Sequence, residues 1–278
     1  MNVIGLGKAG CAIADKFGEY AQYKTYKIDT ELEGKRAHKI KQQDSPEAYE
    51  SSFTSMKTFF RGIKGKSLLV IGGSGHVSAI SLRLIQQLKD KCELDILYIK
   101  PDIFLLSESK KMHEKVTYNV LQQYTRSGAI GTMYLISNPS LEDILGEVPI
   151  MGYYDKLNEL VVSTMHMINV YKNSTPVMGA TPSFNKDSTK RICTIGIFDI
   201  KENQEKLFFP LDTVREKGYI YSISKERLQT ESDLHKTITS QMKEKSQEDN
   251  VNISFGIFST DYKNDYGYIL AYSPNIQS

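Results

Sequence analysis

The sequence predicts an α/β protein: a parallel-sheet domain over residues 1–153, a central helix over 154–175, and a smaller mixed α+β domain over 176–278. Three observations carry that reading. Short apolar runs alternate with amphipathic segments of helical length through the first half of the chain. Two of those runs end in glycine-rich turns that open a helix. Beyond a long apolar helix the alternation gives way to strand-like segments around turns. Strands alternating with helices imply a parallel sheet with helices on both faces.

Taken in order, Asn2-Val3-Ile4 is a short apolar strand, followed by Gly5, Gly7 and Gly10. Ala12, Ile13, Ala14 and Phe17 then recur at helical spacing, and Lys24 to Ile28 reads as a strand ending at Asp29. Residues 31–51 are polar, and the basic stretch from Lys35 to Lys41 reads as a solvated loop. Ser45-Pro46-Glu47 is a helix-start signal, and Tyr49, Phe53, Met56, Phe59 and Phe60 read as one helix face reaching to Gly62. Ser67 to Ile71 is a buried strand running into Gly72-Gly73-Ser74-Gly75, with a helix after it through Leu88. A strand at Leu94–Ile99, a helix near Ser109–Arg126 and a strand at Thr132–Ile136 complete the first pattern. The central helix places Leu157, Leu160, Val161, Met165 and Ile168 on an apolar face, and His166 within it reads as a core histidine. After it come strands at Arg191–Ile200, Glu205–Phe209 and Gly218–Ser224 and a helix at Glu231–Glu244. Val251–Ser259 and Tyr266–Tyr272 read as a closing hairpin around Tyr262-Lys263-Asn264-Asp265.

Composition narrows the function. At 278 residues the chain can build a core without staples, and 40% hydrophobic residues exclude a disordered polymer. Lys plus Arg is 35 against 33 for Asp plus Glu, so no global basic field exists to coat nucleic acid. Cys11, Cys92 and Cys193 are too far apart for a metal-type pair or a disulfide framework, which points to a reduced, intracellular setting. The start, MNVIGLGKAG, does not read as a signal peptide, and no window approaches ~18 apolar residues. A cytoplasmic protein without a membrane span is the expectation.

The two glycine turns carry the chemistry. At the carboxyl ends of parallel strands, helix N-termini present free N–H groups to which phosphate binds, and glycine lets the backbone approach it. Gly5-Leu6-Gly7-Lys8-Ala9-Gly10 fits G-x-G-x-x-G, whose first reading is NAD binding, with Asp29 placed as a ribose-binding acid. The same glycines could serve only close helix–strand packing. Gly72-Gly73-Ser74-Gly75 is a second such loop; a dinucleotide enzyme needs one, whereas a nucleoside triphosphate can be cradled by two. Neither is a Walker P-loop, because no Gly-Lys-Ser/Thr follows.

At these residues the sequence resembles the tubulin/FtsZ superfamily of filament-forming GTPases. GLGKAGCAIAD is similar to that family's first phosphate loop, and IGGSGHVSA stands where its GGGTG(S/T)G signature belongs. Lys100-Pro101 and Ser107 to Met112 are similar to the segment KPF-x-FEG-x-x-RM, Leu135 to Asn138 to the strand ending in IPN, and Tyr154 to Glu159 to the start of the central helix. The last segment, Val251 through Ala271, is similar to the final FtsZ hairpin. The resemblance implies a Rossmann-like nucleotide domain and GTP or GDP as ligand, with Mg2+ as its companion ion. It further implies head-to-tail self-assembly, a cytoskeletal role and GTP hydrolysis completed at the subunit contact. The nucleotide-binding residues it implies are Gly5, Gly7, Lys8, Gly10, Cys11, Gly72, Gly73, Ser74, Gly75 and His76 for the phosphates. Glu108 and Lys111 would serve the ribose and nucleotide, Asn138 the base or sugar, Tyr154 a stacking face and Asn158 the purine edge.

By themselves these residues also admit plainer roles. Glu108 and Lys111 could be a solvated helix pair, Asn138 a turn residue, and Tyr154 part of the core. Two departures from the family stand out. His76-Val77 replaces Thr/Ser-Gly, and a β-branched Val disfavours positive φ. Tyr171 and Ser174 stand where the family has the carboxylates that polarise the attacking water, leaving Asp187 as the candidate catalytic acid. Binding and assembly are therefore expected, with slow hydrolysis. The alternatives are a tubulin-like scaffold that neither polymerises nor hydrolyses, and an NAD(P)-dependent oxidoreductase resting on the first loop alone.

Overall fold

The computed structural model describes residues 1–182, 191–248 and 251–278, and divides into two compact units, Met1–Val162 and Ser163–Ser278. In the first unit, the elements are β1 (Asn2–Leu6), α1 (Gly7–Phe17), β2 (Lys24–Asp29), β3 (Ala37–Lys39), α2 (Pro46–Ser51) and β4 (Gly65–Gly72). A 3₁₀ turn at His76–Ile80 leads into α3 (Ser81–Leu88), then β5 (Cys92–Lys100), α4 (Glu108–Arg126), β6 (Met133–Ser137) and α5 (Asn138–Leu145). The long helix α6 (Tyr153–Lys172) begins in this unit and ends in the second.

The six strands of the first unit run in the order β3-β2-β1-β4-β5-β6, every neighbouring pair parallel. This is the doubly wound arrangement, and its strand order reverses between β1 and β4. The central strands are apolar throughout: β1 is buried at all five positions and β4 at Ser67–Ile71. Such continuous burial is what a parallel sheet covered on both faces requires.

The second unit contains β7 (Met178–Gly179), β8 (Ile192–Asp199), β9 (Gln204–Leu207), β10 (Glu216–Ser224), α7 (Lys225–Thr230), α8 (Leu234–Glu248), β11 (Asn252–Thr260) and β12 (Tyr266–Ser273). Its sheet is mixed, in the order β8-β12-β10-β11-β7, with β9 antiparallel to β8. Leu234, Ile238 and Met242 of α8 pack on Phe198, Tyr219, Tyr221, Ile257 and Ile269 to form the core.

Several expectations change. The helix after Pro46 stops at Ser51, where the Ser51 and Ser52 hydroxyls both donate to the Ala48 carbonyl, at 3.2 and 2.6 Å. Tyr49, Met56 and Phe60 are buried nonetheless, the last two from turn structure. The basic stretch read as a loop contains β3, which pairs with the end of β2 through Lys27↔Ala37 to Asp29↔Lys39. Asn138-Pro139 opens α5 rather than a simple turn, the proline lying in the first helical turn where its missing N–H costs nothing. β11 and β12 are not a hairpin. β10 lies between them, parallel to β11 and antiparallel to β12. Residues 261–265 are long enough to cross one intervening strand at ~4.8 Å per strand spacing.

The second unit is pinned by one carboxylate. Glu205 on β9 accepts from the Tyr219 hydroxyl at 2.6 Å, from Lys245 at 2.7 Å and from Lys217 at 2.9 Å. Burial alone would push this carboxyl up, but Lys245, Tyr219 and Lys217 together outweigh burial and hold it below the ordinary glutamate range. Its stabilising contribution is therefore complete above that range and is lost as pH falls through the depressed value. Glu205→Gln is expected to lower stability at neutral pH by about 2 kcal/mol. The deficit should shrink in acid, as denaturant titrations of both proteins at neutral and low pH would measure.

Candidate functional site

At the strand-order reversal, the carboxyl ends of β1 and β4 each run directly into a glycine loop. The two loops touch. An added Cβ on Gly72 would lie 3.1 Å from the Ala9 Cβ, and one on Gly7 would lie 3.7 Å from the Val77 Cβ. Gly7 has φ +70°, the left-handed value that glycine adopts without strain, and it marks the first residue of α1. With Leu6 as N-cap, the N–H groups of Gly7, Lys8 and Ala9 in the first turn of α1 lack intrahelical acceptors. Lys8 is exposed, adding a mobile cation beside them.

The other glycines of the first loop do a different job. A Cβ on Gly5 would meet the Gly10 carbonyl oxygen at 2.3 Å, and one on Gly10 would meet the Val70 carbonyl oxygen at 2.5 Å. Both residues are buried, and they let α1 lie directly on β1 and β4. Cys11 is also buried, its thiol directed at the carbonyls of Gly5 and Ile28, at 3.5 and 3.6 Å. Burial pushes that thiol up to about 12, so it stays protonated and unreactive. Asp29, at the end of β2, accepts from the Thr30 N–H at 2.8 Å and is engaged in its own turn.

The second loop is shaped without any left-handed residue: no position from Gly72 to Val77 has positive φ. Gly73 is needed for another reason. Its N–H donates to the Ile99 carbonyl at 3.0 Å, and a Cβ there would lie 2.4 Å from the Tyr98 hydroxyl oxygen. Beneath it, Tyr98 donates to the buried Glu114 of α4 at 3.0 Å. Burial pushes the Glu114 carboxyl up, against the pull of Tyr98 and Lys100. Lys100 lies over the Tyr118 ring at 4.4 Å, and its ammonium is depressed by burial. Ser74 and His76 are half-buried and Gly75 is exposed. His113 of α4 reaches the loop, its Nε2 2.9 Å from Ser78 Oγ and 3.3 Å from the Gly75 carbonyl oxygen.

The remaining candidates stand on α4, α5 and α6. Lys16 of α1 pairs with Asp155 of α6 at 2.9 Å, which holds the first turn of α6 beside α1. Tyr153 hydrogen-bonds Glu142 of α5; burial and that carboxylate push its hydroxyl up to about 12. Tyr154 is 67% exposed and meets Tyr153 edge-on, and the half-buried Asn158 follows one turn later on the same helix face. Asn138, half-buried, leads from the end of β6 into α5. Glu108 and Lys111, in the first turn of α4, pair with each other at 2.7 Å, the carboxylate 89% exposed. Asp187 lies outside the described residues. Among those residues no group of three His, Cys, Asp or Glu could hold a metal ion. The described residues thus offer no protein cage for Mg2+; from them such an ion would have to take its oxygens chiefly from phosphate and water.

Two positions read as stand-ins for catalytic acids are structural. Tyr171 is buried, its hydroxyl 2.5 Å from Ser222 Oγ and its ring 4.7 Å from that of Phe258 at a tilt of 42°. Ser174 Oγ donates to the Val170 carbonyl at 2.8 Å, closing the end of α6. His166 is buried as expected of a core histidine. Tyr98, Glu114 and His113 were not legible as site residues. They belong to a strand and a helix whose partners lie 16 to 38 residues away, and only Lys100 fell within a recognisable segment.

A doubly wound parallel sheet with two glycine loops at its switch point, leading through a long helix to a mixed-sheet unit, defines a two-unit α/β class. The fold is that of the tubulin/FtsZ superfamily. No protein-family model and no curated protein matches the sequence. Among solved structures, the GTPγS-form protofilament of TubZ from Bacillus thuringiensis serovar israelensis matches with a TM-score of 0.73 at 15% identity, over 98% of this chain and 86% of that one. CetZ from Methanosaeta thermophila matches with a TM-score of 0.72 at 15% identity, over 99% and 86%. An FtsZ dimer from M. jannaschii matches with a TM-score of 0.68 at 13% identity, over 98% and 87%. At such identities the likeness is one of fold. Among the described residues no helix is long and apolar enough to cross a membrane.

The glycine geometry separates two substitutions that look alike in sequence. Gly73→Ala drives a methyl into the Tyr98–Glu114 pair and is expected to cost about 1–3 kcal/mol. Gly75 has φ −84° and open space around an added Cβ, so Gly75→Ala should be close to neutral in stability. Thermal unfolding of the two variants measures the difference.

Proposed function

We propose that this chain binds guanine nucleotide in the crevice between β1 and β4 and assembles head to tail into filaments, with slow GTP hydrolysis completed at the contact between subunits. The observation that carries the reading is the pair of touching glycine loops at the switch point. One loop offers three helix N–H groups without intrahelical acceptors and Lys8, the other a loop held from beneath. Gly7 and Lys8 with Gly72 to His76 would hold the phosphates, Gly10 seating α1 on the sheet behind them; Glu108, Lys111 and Asn138 would serve ribose and base, Tyr154 would stack and Asn158 would read the purine edge. Mg2+ would arrive with the phosphates. The NAD reading loses support from the second loop and from the local engagement of Asp29.

Self-assembly has its own support. Phe104 and Leu105, after β5, are 87% and 83% exposed, and Ile150 and Met151, before α6, are 94% and 91% exposed. Apolar side chains left bare in two connecting segments of the first unit suit burial by a neighbouring subunit. A contact between unlike faces that does not close on itself propagates as a filament. The solved structures of like fold include TubZ in GTPγS-form and GDP-form protofilaments and in a two-stranded filament. A second reading, a scaffold that binds nucleotide without hydrolysing it, is favoured by the structural roles of Tyr171 and Ser174.

Calorimetry on the purified chain should show GTP or GDP bound in preference to ATP and NAD. Tyr154→Ala and Asn158→Ala should each weaken binding by about 1–3 kcal/mol without changing the circular dichroism. NAD bound with guanine nucleotides ignored would sink the proposal, and light scattering that stays flat on GTP addition would favour the scaffold.

Hydrolysis gives a separate test. If Asp187 completes a neighbour's site, phosphate release should be slow and rise steeply with protein concentration, because positioning across the contact does most of the work in phosphoryl transfer. Asp187→Ala should keep nucleotide, form more persistent assemblies and lose phosphate release. Release that is brisk, linear in protein and indifferent to Asp187→Ala would contradict the interface mechanism.

A further inference from the structure

The second glycine loop has no left-handed residue, and an added Cβ on Gly75 would meet nothing within 4 Å, so hydrogen bonds to the Gly75 carbonyl are what hold this part of the loop. The Gly75 carbonyl receives the Ser78 N–H at 2.9 Å, the Ser78 hydroxyl at 2.7 Å and His113 Nε2 at 3.3 Å. A carbonyl only accepts, so the Gly75 contact is a hydrogen bond in the His113 tautomer with the proton on Nε2; that N–H then donates to Ser78 Oγ and Gly75, while the Ser78 hydroxyl donates to Gly75. A trans peptide directs its N–H opposite to its C=O. Anchoring the Gly75 oxygen therefore aims the His76 N–H of the same peptide plane, on the side away from these donors. Three elements meet here: Glu47 from α2, His76 from the loop and His113 from α4, the two imidazoles edge to face at 6.5 Å.

We propose that His113 is a positioning residue for the phosphate end of the ligand: it clamps the Gly75 carbonyl from α4, aims the loop's N–H, and takes up a proton when a phosphate anion arrives. The inference rests on the nucleotide reading above. In the free protein, burial holds the His113 imidazole below its ordinary range, aided by His76 and opposed by the Gly75 carbonyl and Glu47, so it starts neutral. The second proton goes to Nδ1 and leaves the Nε2 clamp intact. A bound polyanion favours the imidazolium, raising its pKa, so phosphate binding should tighten as pH falls toward the histidine range.

The test compares GDP with guanosine on the full chain, by calorimetry in two buffers of different ionisation enthalpy between about pH 6 and pH 8. His113→Ala should lose about tenfold in GDP affinity and little in guanosine affinity. His113→Gln, whose amide N–H can still reach Ser78 and Gly75, should recover most of the loss. Wild-type protein should take up protons on binding GDP, and His113→Gln should not. Equal losses for GDP and guanosine, or no loss for either, would overturn the positioning role while leaving nucleotide binding standing. Proton uptake undiminished in His113→Gln would overturn the titration of His113, and it can be read even if the alanine variant fails to fold. Wild-type protein that binds neither ligand would defeat the nucleotide reading itself, and this inference with it.

Discussion

The approach of α1 to the sheet is the constraint on which the first unit depends. Gly5 and Gly10 bring a helix backbone against two strand backbones, at distances where a single methyl would meet a carbonyl oxygen at 2.3 or 2.5 Å. That contact fixes where α1 begins, and so where its free N–H groups lie relative to the end of β4. The second loop inherits its position from the same contact, since Gly72 packs on Ala9 and Val77 on Gly7. Buried backbone against buried backbone does not relax the way side chains do, which gives the crevice a rigid floor.

Above that floor, polar contacts do the aiming. Tyr98 and Glu114 support Gly73 from below, His113 and Ser78 hold Gly75 from the α4 side, and Lys16–Asp155 keeps the start of α6 next to α1. Each uses a group that costs free energy to bury unless it is paired, so each is specific about geometry as well as stabilising. Helix α4 is thus coupled to the second glycine loop, and α6 to the last turn of α1, through side chains as well as through the sheet.

The end of α6 serves packing and helix closure. Tyr171, packed at a tilt against Phe258 and hydrogen-bonded to Ser222, contributes to the core of the second unit, and Ser174 closes the helix. Neither is a base, and Tyr171, buried by aromatic packing, cannot turn outward without emptying its site.

Periodicity and glycine spacing were enough to give the parallel sheet, both glycine loops, the central helix and the mixed second domain, because these depend on local pattern. Burial of β1 and β4 on both faces leaves continuous apolar runs, and a helix opening on glycine is visible in any one stretch of chain. What the sequence could not assign was the work of each glycine. Gly5 and Gly7 look equivalent in the motif, yet one serves packing and the other a left-handed turn. Nor did it yield β3, the placement of β10 between β11 and β12, or the early stop of α2 at Ser51. A three-residue edge strand and a strand insertion are set by partners far away in sequence. The same holds for the candidate site: the motif marks Gly7, Lys8 and the second loop as candidates, whereas Tyr98, Glu114 and His113, which contact that loop, carry no such mark. Their significance lies in contacts that span 16 to 38 residues, and such contacts exist only once the strands have paired and the helices have packed.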